Sequence, residues 1–230
     1  MSHKGFSLTT TLYFAPGSCA RVPLIALEEI GAPFDTYIVA FMKGEHRSPE
    51  YLAINPAGKV PALVVDGRAL TQNCAILSYL ARRFPEAALL PQPDDAFEQA
   101  QLLSKLAWFS GDLHPLVTRI RMPQMLCDLA EGPERVRAMA CATMAAQLAP
   151  VEHMLSDKPW YLGDSWSILD TYLFWVWFRI TGAGFDASPF PAIADHRARI
   201  EQRPSVIRAL ARERQAETEL AERGLAVPMR

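Results

Sequence analysis

A cysteine, Cys19, follows the apolar run Leu12-Tyr13-Phe14 in the stretch Ala15-Pro16-Gly17-Ser18-Cys19-Ala20-Arg21-Val22-Pro23. Pro-Gly turns the chain, and a second apolar run, Leu24 to Leu27, follows. The pattern predicts a strand, a turn and a helix with a thiol in its first turn. Helix N-termini carry partial positive charge and open N–H donors. Both favour thiolate, so the expected pKa of Cys19 lies well below the ordinary ~8.5. Arg21 stands close enough in sequence to add to that effect. A thiolate there forms a mixed disulfide or stabilises another thiolate by hydrogen bonding; the bland alternative is a packed Cys under the helix start. Ser18 is the rival polar group at this turn, although a Ser at a helix start is most often a cap. Gln72-Asn73 falls at a second predicted helix start, where backbone N–H groups hold anions. His114, in Gly111-Asp112-Leu113-His114-Pro115, offers an imidazole to a ligand or to carbonyls released by Pro115.

The elements around these residues read clearly. Residues 10–15 form a strand. Val22, Ile25, Ala26 and Ile30 recur at helical spacing, and Gly31 marks the stop. Residues 34–40 form a second strand, 42–47 a polar loop, and Ser48-Pro49-Glu50-Tyr51 a capped turn ended by Asn55-Pro56-Ala57-Gly58. Two apolar runs flank Asp66-Gly67, a strong hairpin signal. Thr71 is expected to cap a helix from Gln72 to about Phe84. One βαβ unit plus a hairpin makes a compact α/β domain.

Residues 86–95 hold prolines without periodicity and read as a linker. The rest, 96–230, reads as helical. Pro115 should bend or break the first long helix. Gly132-Pro133 opens another, to about Leu155. Ser167-Ile168-Leu169-Asp170 is an acidic variant of a capping box before the aromatic run Tyr172 to Phe178, expected to be domain core because a helix apolar all round is usually buried. Pro204-Ser205 starts a last, charged helix.

Of 230 residues, 50% are hydrophobic, enough for one large or two small cores, and the net charge is −2 with both signs interspersed. That composition points to no nucleic-acid or membrane partner. Residues 1–9 lack the apolar segment of a secretory signal and read as a short tail. The four cysteines, Cys19, Cys74, Cys127 and Cys141, form no C-x-x-C pair or metal spacing. No metal site is expected, and a reducing cytoplasm is the default; Cys74, Cys127 and Cys141 read as structural.

Along nearly its whole length the chain resembles the cytosolic glutathione transferases. The carrying stretches are Leu12 to Leu27, Asn55-Pro56-Ala57-Gly58-Lys59-Val60-Pro61-Ala62-Leu63, Leu70 to Leu80, Leu162 to Asp170, and Arg203-Pro204-Ser205-Val206. Their order and spacing together are specific. The Pro-Gly-Ser-Cys turn looks most like the bacterial beta class. The resemblance implies a thioredoxin-like N-terminal domain at 10–85 and an all-α C-terminal domain at 96–230. It also implies a homodimer, glutathione as co-substrate bound between the domains, and a role in detoxification. It places Cys19 near the glutathione thiol, with Ser18 as the alternative. It implies a cis bond before Pro61 that presents the Val60 backbone to the peptide. Gln72 and Asn73 take the γ-glutamyl carboxylate, Lys43 the glycine carboxylate, and His114 faces the thiol. Phe14 departs from the family's frequent Tyr and excludes a catalytic hydroxyl at that position. Gln72-Asn73 departs from the usual acidic-or-Gln and Ser pair, which puts affinity rather than location in question. Trp108, Ile120, Met122 and the region near Trp177 are expected around a hydrophobic substrate. The expected reaction is conjugation to hydrophobic electrophiles. Disulfide reduction through Cys19, a lyase or isomerase reaction, and a non-catalytic interaction module are the alternatives.

Overall fold

The computed structural model describes residues 9–226; the reading of residues 1–9 as a tail falls almost wholly outside them. The chain divides into two compact units, one running to Leu89 and resuming at Pro204, the other spanning Leu90–Arg203. That boundary lies inside the linker read at 86–95. It also returns the last helix to the first unit, whereas the sequence assigned it to the helical domain.

In the first unit β1 (Thr10–Phe14) leads through the Pro-Gly turn to α1 (Arg21–Ile30) and β2 (Asp35–Ile38). After two short 3₁₀ turns, at 41–43 and 45–47 where an irregular loop was expected, comes α2 (Pro49–Ile54), capped by the Ser48 hydroxyl accepting from Tyr51 N–H. The hairpin of β3 (Ala62–Val65) and β4 (Arg68–Thr71) follows, then α3 (Asn73–Arg83). The sheet order is β2-β1-β3-β4, with β1 parallel to β2 and antiparallel to β3. Asp66 and Gly67 both take positive φ, 51° and 72°, the turn a two-residue hairpin requires. Thr71 closes β4 rather than capping α3. The position before the helix is Gln72, which makes no side-chain capping bond.

α1 buries eight of its ten residues, Arg21 to Glu28. The final helix, α9 (Pro204–Glu222), packs on it with Val206, Ala209, Glu213, Ala216 and Leu220 buried at helical spacing.

In the second unit α4 (Ala96–Ala107) and α5 (His114–Arg121) are joined by a π-helical segment, Trp108–Leu113. Pro115 therefore does not end the helix. The wider π turn accommodates the ring and missing N–H that would clash in a regular α-helix. Next come α6 (Gly132–Asp157), α7 (Ile168–Thr181) and α8 (Pro191–Glu201). α7 is the core helix expected from its aromatics, buried from Ile168 through Trp177. No helix among the described residues is long and apolar enough to cross a membrane.

Candidate functional site

Cys19 does not lie within α1. The helix starts at Arg21 behind Ala20, and Cys19 occupies the preceding turn. That turn is closed by Ser18 N–H to Ala15 O at 3.1 Å and Arg21 N–H to Ser18 O at 3.1 Å. The Ser18 hydroxyl donates to Ala15 O at 2.6 Å and accepts from Ala20 N–H at 3.3 Å. It stabilises the turn.

The Cys19 side chain is 8% exposed, and its Sγ donates to Val60 O at 3.5 Å. Burial pushes the thiol pKa up to about 12, against smaller lowering effects from a hydrogen bond to its own backbone and from Lys59. The expectation of a low-pKa thiolate is thereby corrected. Partial charge at a helix end is outweighed by the cost of placing a charge away from water. Arg21 is not the cation acting on the thiol. It pairs instead with Glu213 on α9, through Nε at 2.9 Å and Nη2 at 2.6 Å. Glu213 also accepts from Gly17 N–H at 3.2 Å, so a buried ion pair holds the turn that carries Cys19. In the ligand-free protein iodoacetamide should alkylate Cys19 orders of magnitude more slowly than a free thiol at pH 7. The rate should rise about tenfold per pH unit well past pH 9, since only thiolate reacts. Rapid labelling at pH 7, read by mass spectrometry of the Cys19 peptide, would refute the buried neutral thiol.

Val60 and Pro61 are joined by a cis bond, as the resemblance implied. Val60 is half-buried and sits just outside the strand ladder, which begins at Ala62. The preceding Lys59 carbonyl is fixed by Tyr51 Oη at 2.6 Å and Asn55 Nδ2 at 2.5 Å. Asn55 in turn accepts from Ala57 N–H at 3.1 Å. At Gly58, φ is +61° and a Cβ would lie 2.8 Å from His46 O, so no other residue fits this approach to Val60. The sequence reading took Asn55 to Gly58 as a helix stop and as part of a family-like stretch, and gave it no part in fixing Val60. The clue was an Asn before Pro, a residue that bonds backbone groups two positions on.

Asn73 is buried and its Nδ2 donates to Cys19 O at 3.0 Å. This bond ties the start of α3 to the cysteine turn. Gln72 is exposed, with φ 71° and ψ 125°, a backbone conformation a non-glycine residue holds only when its surroundings impose it. Cys19, Val60, Pro61, Gln72 and Asn73 are thus brought to one region of the first unit. Lys43 is exposed at the end of a 3₁₀ turn. Phe14 is buried at 1% exposure.

His114 opens α5 in the second unit, its ring 4.6 Å edge-on to Trp175. Trp108 is half-buried and donates from Nε1 to Gln147 at 3.0 Å; Met122 is also half-buried. Ile120, expected beside a substrate, and Trp177, near which more of that wall was expected, are 1% and 2% exposed. They are core, with Trp177 against Phe185 and Phe190. None of the four cysteines is in a disulfide. No cluster of three metal-ligating side chains occurs among the described residues.

Comparison with known proteins bears on the two units as wholes. The family model for the glutathione S-transferase N-terminal domain matches residues 8–82, and that for the C-terminal domain residues 103–204. Glutathione S-transferase GstA of Escherichia coli O157:H7 is 31% identical over 204 residues, 88% of this chain and 98% of that protein. A maleylacetoacetate isomerase of Pseudomonas aeruginosa is 37% identical over 164 residues, 70% of this chain and 76% of that one. Among solved structures, the beta-class transferase of Sphingomonas chungbukensis has TM-score 0.77 at 35% identity, covering 88% of this chain and 98% of its own. A Sulfitobacter homologue crystallised with bound glutathione has TM-score 0.76 at 31% identity, covering 95% and 99%. With its four-stranded mixed sheet, its helical second unit and this match over both domains, the chain belongs to the glutathione S-transferase family, resembling its bacterial beta class, and is a glutathione transferase with glutathione as co-substrate.

Proposed function

We propose that the protein conjugates glutathione to hydrophobic electrophiles, with Cys19 acting as a neutral S–H donor to the glutathione thiolate. The observation that carries this reading is the buried thiol held 3.5 Å from Val60 O, at a backbone edge outside the ladder. Glutathione lies along Val60 as an added strand. A carbonyl has two lone pairs, so Val60 O accepts from the peptide while Cys19 turns its proton toward the ligand sulfur. A fixed donor aimed at a thiolate lowers the thiol pKa, and thiolate is the species that attacks the electrophile. The γ-glutamyl carboxylate sits at the start of α3, by Gln72 and Asn73. Lys43 attracts the glycine carboxylate across water. Ser18, its hydroxyl engaged in the turn, supports Cys19 rather than replacing it, and His114 is a second donor.

The high thiol pKa supports conjugation over disulfide reduction, because a mixed disulfide needs a thiolate at Cys19. In Cys19→Ala, kcat/KM with a chloro-aromatic electrophile at pH 6.5 should fall about tenfold, the worth of one hydrogen bond to a charged group. Cys19→Ser, which keeps a donor, should retain most of the activity. Equal loss in both variants, confined to a disulfide substrate, would instead support the reductase reading. Isomerisation is a second reading, favoured by the likeness to maleylacetoacetate isomerase; turnover of a cis-enone substrate distinguishes it.

The working form is a homodimer in a reducing compartment. Phe97 and Leu103 on α4 and Met139 on α6 are 71%, 54% and 64% exposed, more apolar surface than a lone unit is expected to leave to water. Sedimentation equilibrium should give twice the chain mass of 25.6 kDa.

A further inference from the structure

We propose a second ligand site in the first unit, for a flat aromatic monocarboxylate. It is a pocket of about 610 Å³, within the size range of small-molecule sites. It lies at the far end of α1 and β1 from Cys19: Thr10 opens β1 and Glu28 stands near the close of α1, whereas Cys19 lies between the other ends of the two elements.

The chemistry of the wall selects the ligand. The Glu28 carboxylate is 7% exposed and takes Arg208 Nε at 2.7 Å on one oxygen and Arg212 Nε at 2.5 Å on the other. Arg208 Nη2 also donates to Glu28 O at 2.5 Å. Two guanidiniums on one carboxylate leave one net positive charge. Arg212 binds Glu28 through Nε alone among the described residues, so its Nη edge is open to a carboxylate, the partner whose geometry matches a guanidinium fork. The Arg212 guanidinium lies over the Phe34 ring at 4.6 Å. Its outer face is therefore available to stack a second flat ring. Leu27 and Pro33 add apolar wall. Thr10, also in the wall, is 2% exposed, and its hydroxyl has no hydrogen-bond partner among the described residues, so a buried polar group faces the site for a ligand to satisfy. Asp35, exposed at the edge of the pocket, limits the ligand to a single negative charge.

The test uses 2-naphthoate and its neutral analogue 2-naphthamide, titrated calorimetrically into the full chain saturated with glutathione. Naphthoate should bind in the sub-millimolar range and naphthamide at least about tenfold more weakly. Arg212→Gln should weaken naphthoate about tenfold, while Arg208 still holds Glu28. Asp35→Asn should tighten it roughly threefold by removing a like charge. Both variants should bind glutathione as the native chain does, which shows that they fold and separates this site from the catalytic one. Any of three outcomes overturns the proposal: no naphthoate binding at millimolar concentration, binding abolished by glutathione, or binding indifferent to Arg212→Gln. Tighter binding of inorganic phosphate than of naphthoate would overturn the ligand class.

Discussion

Replacing Glu213 by Ala should destabilise the protein by about 3–5 kcal/mol, the cost of leaving a buried guanidinium without its partner. Arg21 and Glu213 are 5% and 2% exposed, so solvent screening does not soften the loss. The change also strips the acceptor from Gly17 N–H. The melting temperature should drop on the order of 10 °C for a chain of this size. Removing both charges is the sharper test. Arg21→Met with Glu213→Met leaves no orphaned charge, and buried pairs exchanged for apolar residues are often no less stable. The double variant should therefore recover most of the stability lost in Glu213→Ala. Its glutathione affinity should remain reduced several-fold, because Gly17 and the Cys19 turn still lack their anchor. Full recovery of both stability and affinity would show that Glu213 does not position the turn.

The second large effect is expected at Asp170 in the helical unit. Its carboxylate is fully buried and accepts from Tyr161 N–H at 2.7 Å, Ser167 N–H at 2.8 Å and Ser167 Oγ at 3.1 Å. His196 Nε2 lies 2.8 Å from Oδ1, the oxygen that also accepts from Tyr161 N–H. Asp170→Ala leaves two backbone donors, a hydroxyl and a 1%-exposed imidazole facing a void. Each unsatisfied buried group costs about 1–3 kcal/mol. A loss of at least about 4 kcal/mol should follow, seen as a lower urea midpoint with an unchanged slope. A drop below about 1 kcal/mol would mean that water satisfies these groups and that the capping box is not central to α7.

Local pattern made much of the first unit legible. The close of α1 followed from apolar spacing and Gly31, and the β3–β4 turn from Asp66-Gly67. The Ser167–Asp170 capping box was also readable, since its partners stand three residues apart. What escaped was set by residues distant in the chain. That Cys19 stands beside the start of α1 was plain, but its protonation depends on burial and on Val60, 41 residues away. Glu213 stands 192 residues from Arg21. Its signal was an acid on the otherwise apolar face formed by Val206, Ala209, Ala216 and Leu220, in a helix read only as charged. The placement of α9 escaped for the same reason, because its partner helix α1 lies near the other end of the chain. The π segment before Pro115 has no spacing signature, since it arises where the helix accommodates the proline.

The most direct test of the central claim is the ionisation of bound glutathione, followed by thiolate absorbance in the ultraviolet across pH, in the native chain and in Cys19→Ala. The bound thiol should titrate more than one unit below the ~8.5 of an ordinary thiol, and the variant should return about one unit of that shift. Glutathione that fails to bind, or that binds with an unshifted thiol in the native chain, would contradict Cys19 as the donor that activates it.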